Sequence, residues 1–165
     1  MTHSWDSRVA EVWASADELS DDAVLASIDS LVAEVDETEG PDAAAAAFEA
    51  ASVRDYLGHE AQAEPLYRDA IALGLDAARR PQAQLQLAST LRNLGRPVEA
   101  VELLEEHLAE HPADEWTAAG AAFLALALVD AGRERDAASV ALAALSESLP
   151  AYGNAVRRYA LELRR

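Results

Sequence analysis

Cysteine and lysine are both missing from these 165 residues. No disulfide can staple the chain, and no thiolate can act as nucleophile or metal ligand. All 13 basic residues are arginine, against 30 acids, for a formal net charge of −17. Affinity for phosphate comes from clustered cations, so nucleic acid is not an expected partner. Long apolar runs are lacking too. The longest, residues 118–129, contains Gly120 and stops at Asp130, short of the ~20 residues a membrane span requires. The opening MTHSWDSRVAEVW has neither the basic region nor the apolar core of a signal peptide. A soluble cytoplasmic protein without membrane association is the expectation, and the excess of alanine over an absent lysine suits a GC-rich bacterial genome.

What is present is half apolar, 51% of residues, in a chain long enough to bury one sizeable core. Charge is uneven along it. Residues 1–50 hold 13 acids and one arginine, while the remaining 115 hold 17 acids and 12 arginines. Such an acidic surface keeps a protein soluble, and it also attracts a basic partner.

Three glycines, Gly58, Gly95 and Gly132, stand 37 residues apart in each step. Alanine lies seven residues before each (Ala51, Ala88, Ala125) and five after each (Ala63, Ala100, Ala137). Around Gly95, Leu87, Leu91 and Leu94 precede the turn, and Val98, Val101, Leu104 and Leu108 follow it. That is helical spacing on both sides. The spacing predicts two amphipathic helices joined at a glycine of positive φ, with Pro97 in the first turn of the second helix. Small residues at facing places let two helix axes approach closely.

These residues resemble the tetratricopeptide repeat, a helix-turn-helix unit of about 34 residues. Gly58 with Ala51, Ala63, Tyr67 and Ala70 is similar to that pattern, as is Gly95 with Ala88, Ala100, Leu108 and Pro112. Gly132 with Leu124, Ala125, Ala137 and Ala144 is a weaker third match. The unit is three residues longer than usual. Ala47, Gln84 and Ala121 stand where the family often has Trp, and His107 occupies a place usually given to a small residue.

The resemblance implies an all-α, right-handed α-α superhelix of three repeats within a single domain. The expected boundaries are 43–75, 81–112 and 114–149, with a helix pair at 1–37 and a capping helix at 151–165. The N-terminal pair reads as helices from Ser4 to Ala16 and after the cap Ser20, forming a degenerate repeat or a simple cap. Residues 37–41 read as a linker, with Asp42 capping the next helix. Pro65 places the start of the following helix near Glu60 or Ala61, or else bends it, and Gly74 ends it. In the last helix, from Tyr152 to about Leu163, Val156, Tyr159, Ala160 and Leu163 are expected to face inward.

First helices of successive repeats line a concave groove in this family. The resemblance therefore implies a peptide-binding surface of Phe48, Ser52, Asp55 and Tyr56, then Gln82, Leu85, Ser89, Arg92 and Asn93. The third repeat adds Ala122, Leu126, Val129 and Asp130. The implied role is an adaptor or regulatory module for a protein or peptide partner, with no enzyme activity and no cofactor. A carboxylate clamp of Lys and Asn is not supported, since lysine is absent and Ser52 and Ser89 stand where Asn is expected. The alternative is a homo-oligomer paired through the apolar third repeat or an end helix.

One segment imitates catalytic chemistry. His107-Leu108-Ala109-Glu110-His111 matches H-x-x-E-H, in which two histidines one turn apart bind zinc and a glutamate activates water. Here His111 precedes Pro112, which disfavours helical geometry at the histidine, and the segment already has a place in the repeat. Inert packing is expected.

Overall fold

The computed structural model describes residues 4–36, 39–110 and 115–164. Their regular structure is all helical, with no strand among the described residues. They form α1 (Trp5–Ala14), a short 3-10 turn (Ala16–Glu18), α2 (Asp21–Val32), α3 (Pro41–Tyr56), α4 (Glu60–Leu73) and α5 (Arg79–Asn93). Then come α6 (Pro97–Glu110), α7 (Thr117–Asp130), α8 (Glu134–Ser146) and α9 (Gly153–Glu162). The chain divides into two compact units, Met1–Ala83 and Gln84–Arg165. Within the first, α1 packs on α2, α2 on α3 and α3 on α4. Within the second, α6 packs on α7, α7 on α8 and α8 on α9.

The glycine spacing translates into one backbone motif used three times. Gly58, Gly95 and Gly132 have φ of 73°, 74° and 73°. In each case the residue after glycine donates its N–H five residues back: His59 to Arg54, Arg96 to Leu91, and Arg133 to Leu128. Each glycine itself donates three residues back, to Asp55, Arg92 and Val129. These bonds satisfy the last carbonyls of α3, α5 and α7 and reverse the chain, which a left-handed residue is needed to do. Five of the six flanking alanines, Ala51, Ala63, Ala88, Ala100 and Ala137, are buried, and Ala125 is half-buried.

Ser4 and Ser20 cap α1 and α2 through side-chain oxygens that accept from Ser7 and Ala23 N–H groups. The cap of α3 differs from the sequence expectation. Gly40 holds that position and Pro41 is the first helical residue, so Asp42 lies in the first turn. Proline at N1 explains the shift, because its fixed φ begins a helix and its missing N–H had no partner to lose. The linker residues 37 and 38 lie outside the described residues. α4 starts at Glu60 and tolerates Pro65 within it, and Gly74 ends it in the left-handed region. α5 begins two residues before the expected Pro81. The Asp76 carboxylate accepts from the N–H groups of Ala78 and Arg79 at 2.9 and 2.8 Å, and this local cap starts the helix early.

The last helix needs the largest correction. Tyr152 stands before α9 in a left-handed conformation, φ 67°. Ala160 is buried as expected, but Tyr159 is 57% exposed. Its ring lies outside the packed face, beneath the Arg158 guanidinium at 4.9 Å. A phenol can stay in water with a cation on its face, so hydropathy alone misplaced it.

Candidate functional site

The side chains expected to line a groove divide into buried and accessible groups. On α3, Phe48 and Ser52 are buried. Phe48 meets Tyr67 with ring centroids 6.2 Å apart, and the Tyr67 hydroxyl donates to Asp55 Oδ2 at 3.3 Å. Burial, reinforced by the Asp55 charge, holds that hydroxyl above the usual phenol range. Tyr56 is exposed, yet its hydroxyl donates to Asp17 at 3.2 Å and its ring meets the edge of Trp13 at 5.7 Å. The α3 candidates are therefore engaged inside the first unit, partly by its own N-terminal helices. Phe48 and Ser52 are corrected from surface to core.

A second bridge ties α1 to α3. The Trp13 indole N–H donates to Glu49 Oε2 at 2.8 Å, and Glu49 is only 6% exposed. Burial pushes the Glu49 carboxyl up, against the stabilising indole bond and the more distant Arg79 charge. Nothing in the sequence marked this residue, which stands in an alanine-rich helix with no paired motif.

In the second unit the accessible candidates lie on two first helices. Leu85 is buried, a further correction, while Ser89 and Arg92 are half-buried and Asn93 is exposed. Gln82, at the start of α5 within the first unit, is half-buried. On α7, Ala122 and Asp130 are exposed, and Leu126 and Val129 are 46% and 49% exposed. The Arg92 guanidinium is ion-paired with Asp130. That pair joins α5 to α7, with Leu126 one turn away from Asp130.

The HLAEH segment is built for packing at its first histidine. His107 is fully buried, and its Nδ1 lies 3.0 Å from Gln84 Oε1. With the amide oxygen accepting, Nδ1 carries the proton. On the other side Gly120 of α7 makes room: a Cβ there would come within 3.1 Å of the imidazole Cδ2 and of the Leu108 side chain. His111 and Pro112 lie outside the described residues. Among the described residues no group of three His, Cys, Asp or Glu side chains could hold a metal ion.

These features form a family signature. The tetratrico peptide repeat model matches residues 44–163. The chain belongs to the tetratricopeptide repeat family. Two solved structures share its fold, both of nearly identical tetratricopeptide-like repeats from a Podosopora anserina protein assigned as a kinesin light chain. The first has a TM-score of 0.74 at 22% identity, covering 99% of this chain and 93% of that one. The second, a single-substitution form of the same protein, has a TM-score of 0.73 at 22% identity, covering 96% and 90%. At that identity the likeness concerns the fold alone. Comparison with curated proteins gives no match. Tetratricopeptide repeats are typically scaffolds for protein–protein interaction, and no described helix here is long and apolar enough to cross a membrane.

Proposed function

We propose that the chain is a protein-interaction module that takes a peptide or protein segment on the α5–α7 face of its second unit, in an adaptor or regulatory role. The observation that supports this reading is the pairing of two half-exposed apolar side chains, Leu126 and Val129, with the Arg92–Asp130 ion pair beside them. Apolar contacts supply most of the affinity in such a surface, and a polar pair at its edge fixes register. A carboxylate or backbone carbonyl of the partner competes with Asp130 for the Arg92 donors. The Phe48 and Leu85 contacts implied by the family resemblance are not part of this surface, because both side chains are core.

The test uses peptides selected from a displayed random library on the immobilised protein. Leu126→Asp and Val129→Asp are expected to weaken a selected peptide at least about tenfold, with helicity by circular dichroism unchanged. Val98→Asp is the control, since Val98 is 60% exposed on the second helix α6. Loss of binding in the Val98 variant with full retention in the α7 variants would place the site on the opposite face and end this reading.

A further inference from the structure

The stripe that α7 turns outward lacks hydrogen-bonding groups. Ala118, Ala122, Leu126 and Val129 are all exposed. They follow at i, i+4, i+8 and i+11, so they lie along one face over about three turns. Between Thr117 and Asp130 the helix reads AAGAAFLALALV, in which no side chain carries a donor or acceptor. The half-buried residues beside the stripe, Ala119 and Ala125, are apolar too. The α5 side of the face differs, since Ser89 and Arg92 are half-buried, Asn93 is exposed and all three are polar.

An extended peptide points its backbone N–H and C=O groups to both sides of its axis. Here α5 can satisfy one side, and α7 offers nothing to the other. A backbone group buried without a partner costs about as much as a lost hydrogen bond, and a strand laid against α7 would repeat that cost along its length. A helix brings its backbone already satisfied except at its ends, and needs from its host only apolar contact. Charge of one sign flanks the stripe. Glu115 precedes α7 and is exposed. Asp130 closes it with 40% of its side chain exposed, despite the bond to Arg92. No cation stands on α7 itself.

We infer that the segment taken on the α5–α7 face is an amphipathic helix of a partner protein, apolar over about three turns and basic beyond each end. This rests on the reading of that face as the binding surface. The apolar side chains of the partner helix pack along Ala118, Ala122, Leu126 and Val129 as ridges into grooves. Its cations meet Glu115 and Asp130. The Arg92 donors take carbonyls at its C-terminal end, which have no partner within the helix. A cation in that last turn is also favoured by the helix dipole.

The probes are peptides selected from the random library on the full chain whose binding is lost in Leu126→Asp. Each is expected to carry Lys or Arg beyond an apolar stretch and to gain helicity on binding, read by circular dichroism of the complex minus its parts. One proline inside the apolar stretch is expected to weaken binding at least about thirtyfold. On the protein, Ala122→Gln at an exposed helical position adds a donor and an acceptor to α7 and crowds the stripe. It is expected to weaken a bound helix at least about tenfold, with the helicity of the protein unchanged. Peptides that gain no helicity, accept the proline, carry acids in place of the cations, or bind Ala122→Gln unchanged or tighter overturn the inference and leave the surface reading standing. A selection in which no peptide depends on Leu126 or Val129 overturns both.

Discussion

Two helix contacts, α1 with α3 in the first unit and α6 with α7 in the second, are held together by different means. In the first, polar and aromatic groups bridge α1 and the following turn to α3: Trp13 to Glu49, Trp13 against Tyr56, and Tyr56 to Asp17. Arg54 adds an ion pair from α3 to Asp29 of α2. In the second, α6 and α7 meet where a small residue admits a large one, Gly120 beneath the buried His107. The α1–α3 contact relies on hydrogen bonds formed at a distance from the backbone, the α6–α7 contact on backbone approach. A polar bridge tolerates small movements but leaves a costly orphan when one partner is lost. Close approach tolerates no added atom.

The largest way to break this contrast is Trp13→Ala. It removes an aromatic side chain packed against the core of Val9, Val24, Ile28 and Val53 and leaves Glu49 without its donor. A loss of about 3 kcal/mol is expected, read by denaturant unfolding followed by circular dichroism. Trp13→Phe should recover the packing share but not the hydrogen bond, so it should fall between the two. Equal stability of the Phe variant and wild type would show that the indole–carboxylate bond contributes nothing.

Gly120→Ala sharpens the other side. Alanine favours the helix by about 1 kcal/mol over glycine, yet its Cβ would meet His107 Cδ2 at 3.1 Å and Nε2 at 3.3 Å. Because the imidazole is enclosed, the clash is expected to outweigh the propensity, for a net loss of about 1 kcal/mol. In a His107→Ala background the loss should shrink, because only the flexible end of Leu108 then remains at 3.1 Å. A double-mutant cycle measures this coupling. Identical effects in both backgrounds would show that the imidazole is not what requires glycine.

The smallest effect concerns pH. Burial raises the Glu49 carboxyl pKa, so the folded chain binds that proton more tightly than the unfolded chain does. Stability from this group is therefore greatest below the usual glutamate range. It falls as pH rises through the unfolded value to the raised folded one, then stays constant. Glu49→Gln keeps an acceptor for the Trp13 indole and removes the buried charge. It should raise the unfolding midpoint slightly at neutral pH and make no difference at pH ~4. A midpoint lowered at neutral pH would mean that the ionised carboxylate is itself stabilising.

Much of the fold was legible because helical repeats announce themselves through local rules. The interval of 37 residues placed three turns, and each turn needed the positive φ that glycine provides without strain. Alanine at fixed distances from those glycines identified buried crossing points. Ser20 marked a helix start, and Pro97 another, since capping depends on neighbours in sequence. Local chemistry also misled at Asp42 and Tyr159. Gly40-Pro41 outcompeted the aspartate as a helix start, and Tyr159 keeps its ring in water under Arg158.

The candidate site was less legible. Phe48, Leu85 and Leu126 all occupy first helices, but only Leu126 reaches the surface, because helical spacing gives a face and not the depth at which neighbouring helices bury it. Two departures from the family pattern, Gln84 in place of Trp and His107 in place of a small residue, were visible separately. Their meeting at 3.0 Å was not, since they stand 23 residues apart on different helices. By itself the sequence determined helix periods, turn positions, the lack of thiol and lysine chemistry, and the concentration of acids in the first 50 residues. Only the tertiary structure decided which charges are paired within the chain, such as Arg92 with Asp130 and Arg54 with Asp29. That depends on distances between helices, and Coulomb attraction is strong only at contact in screening water.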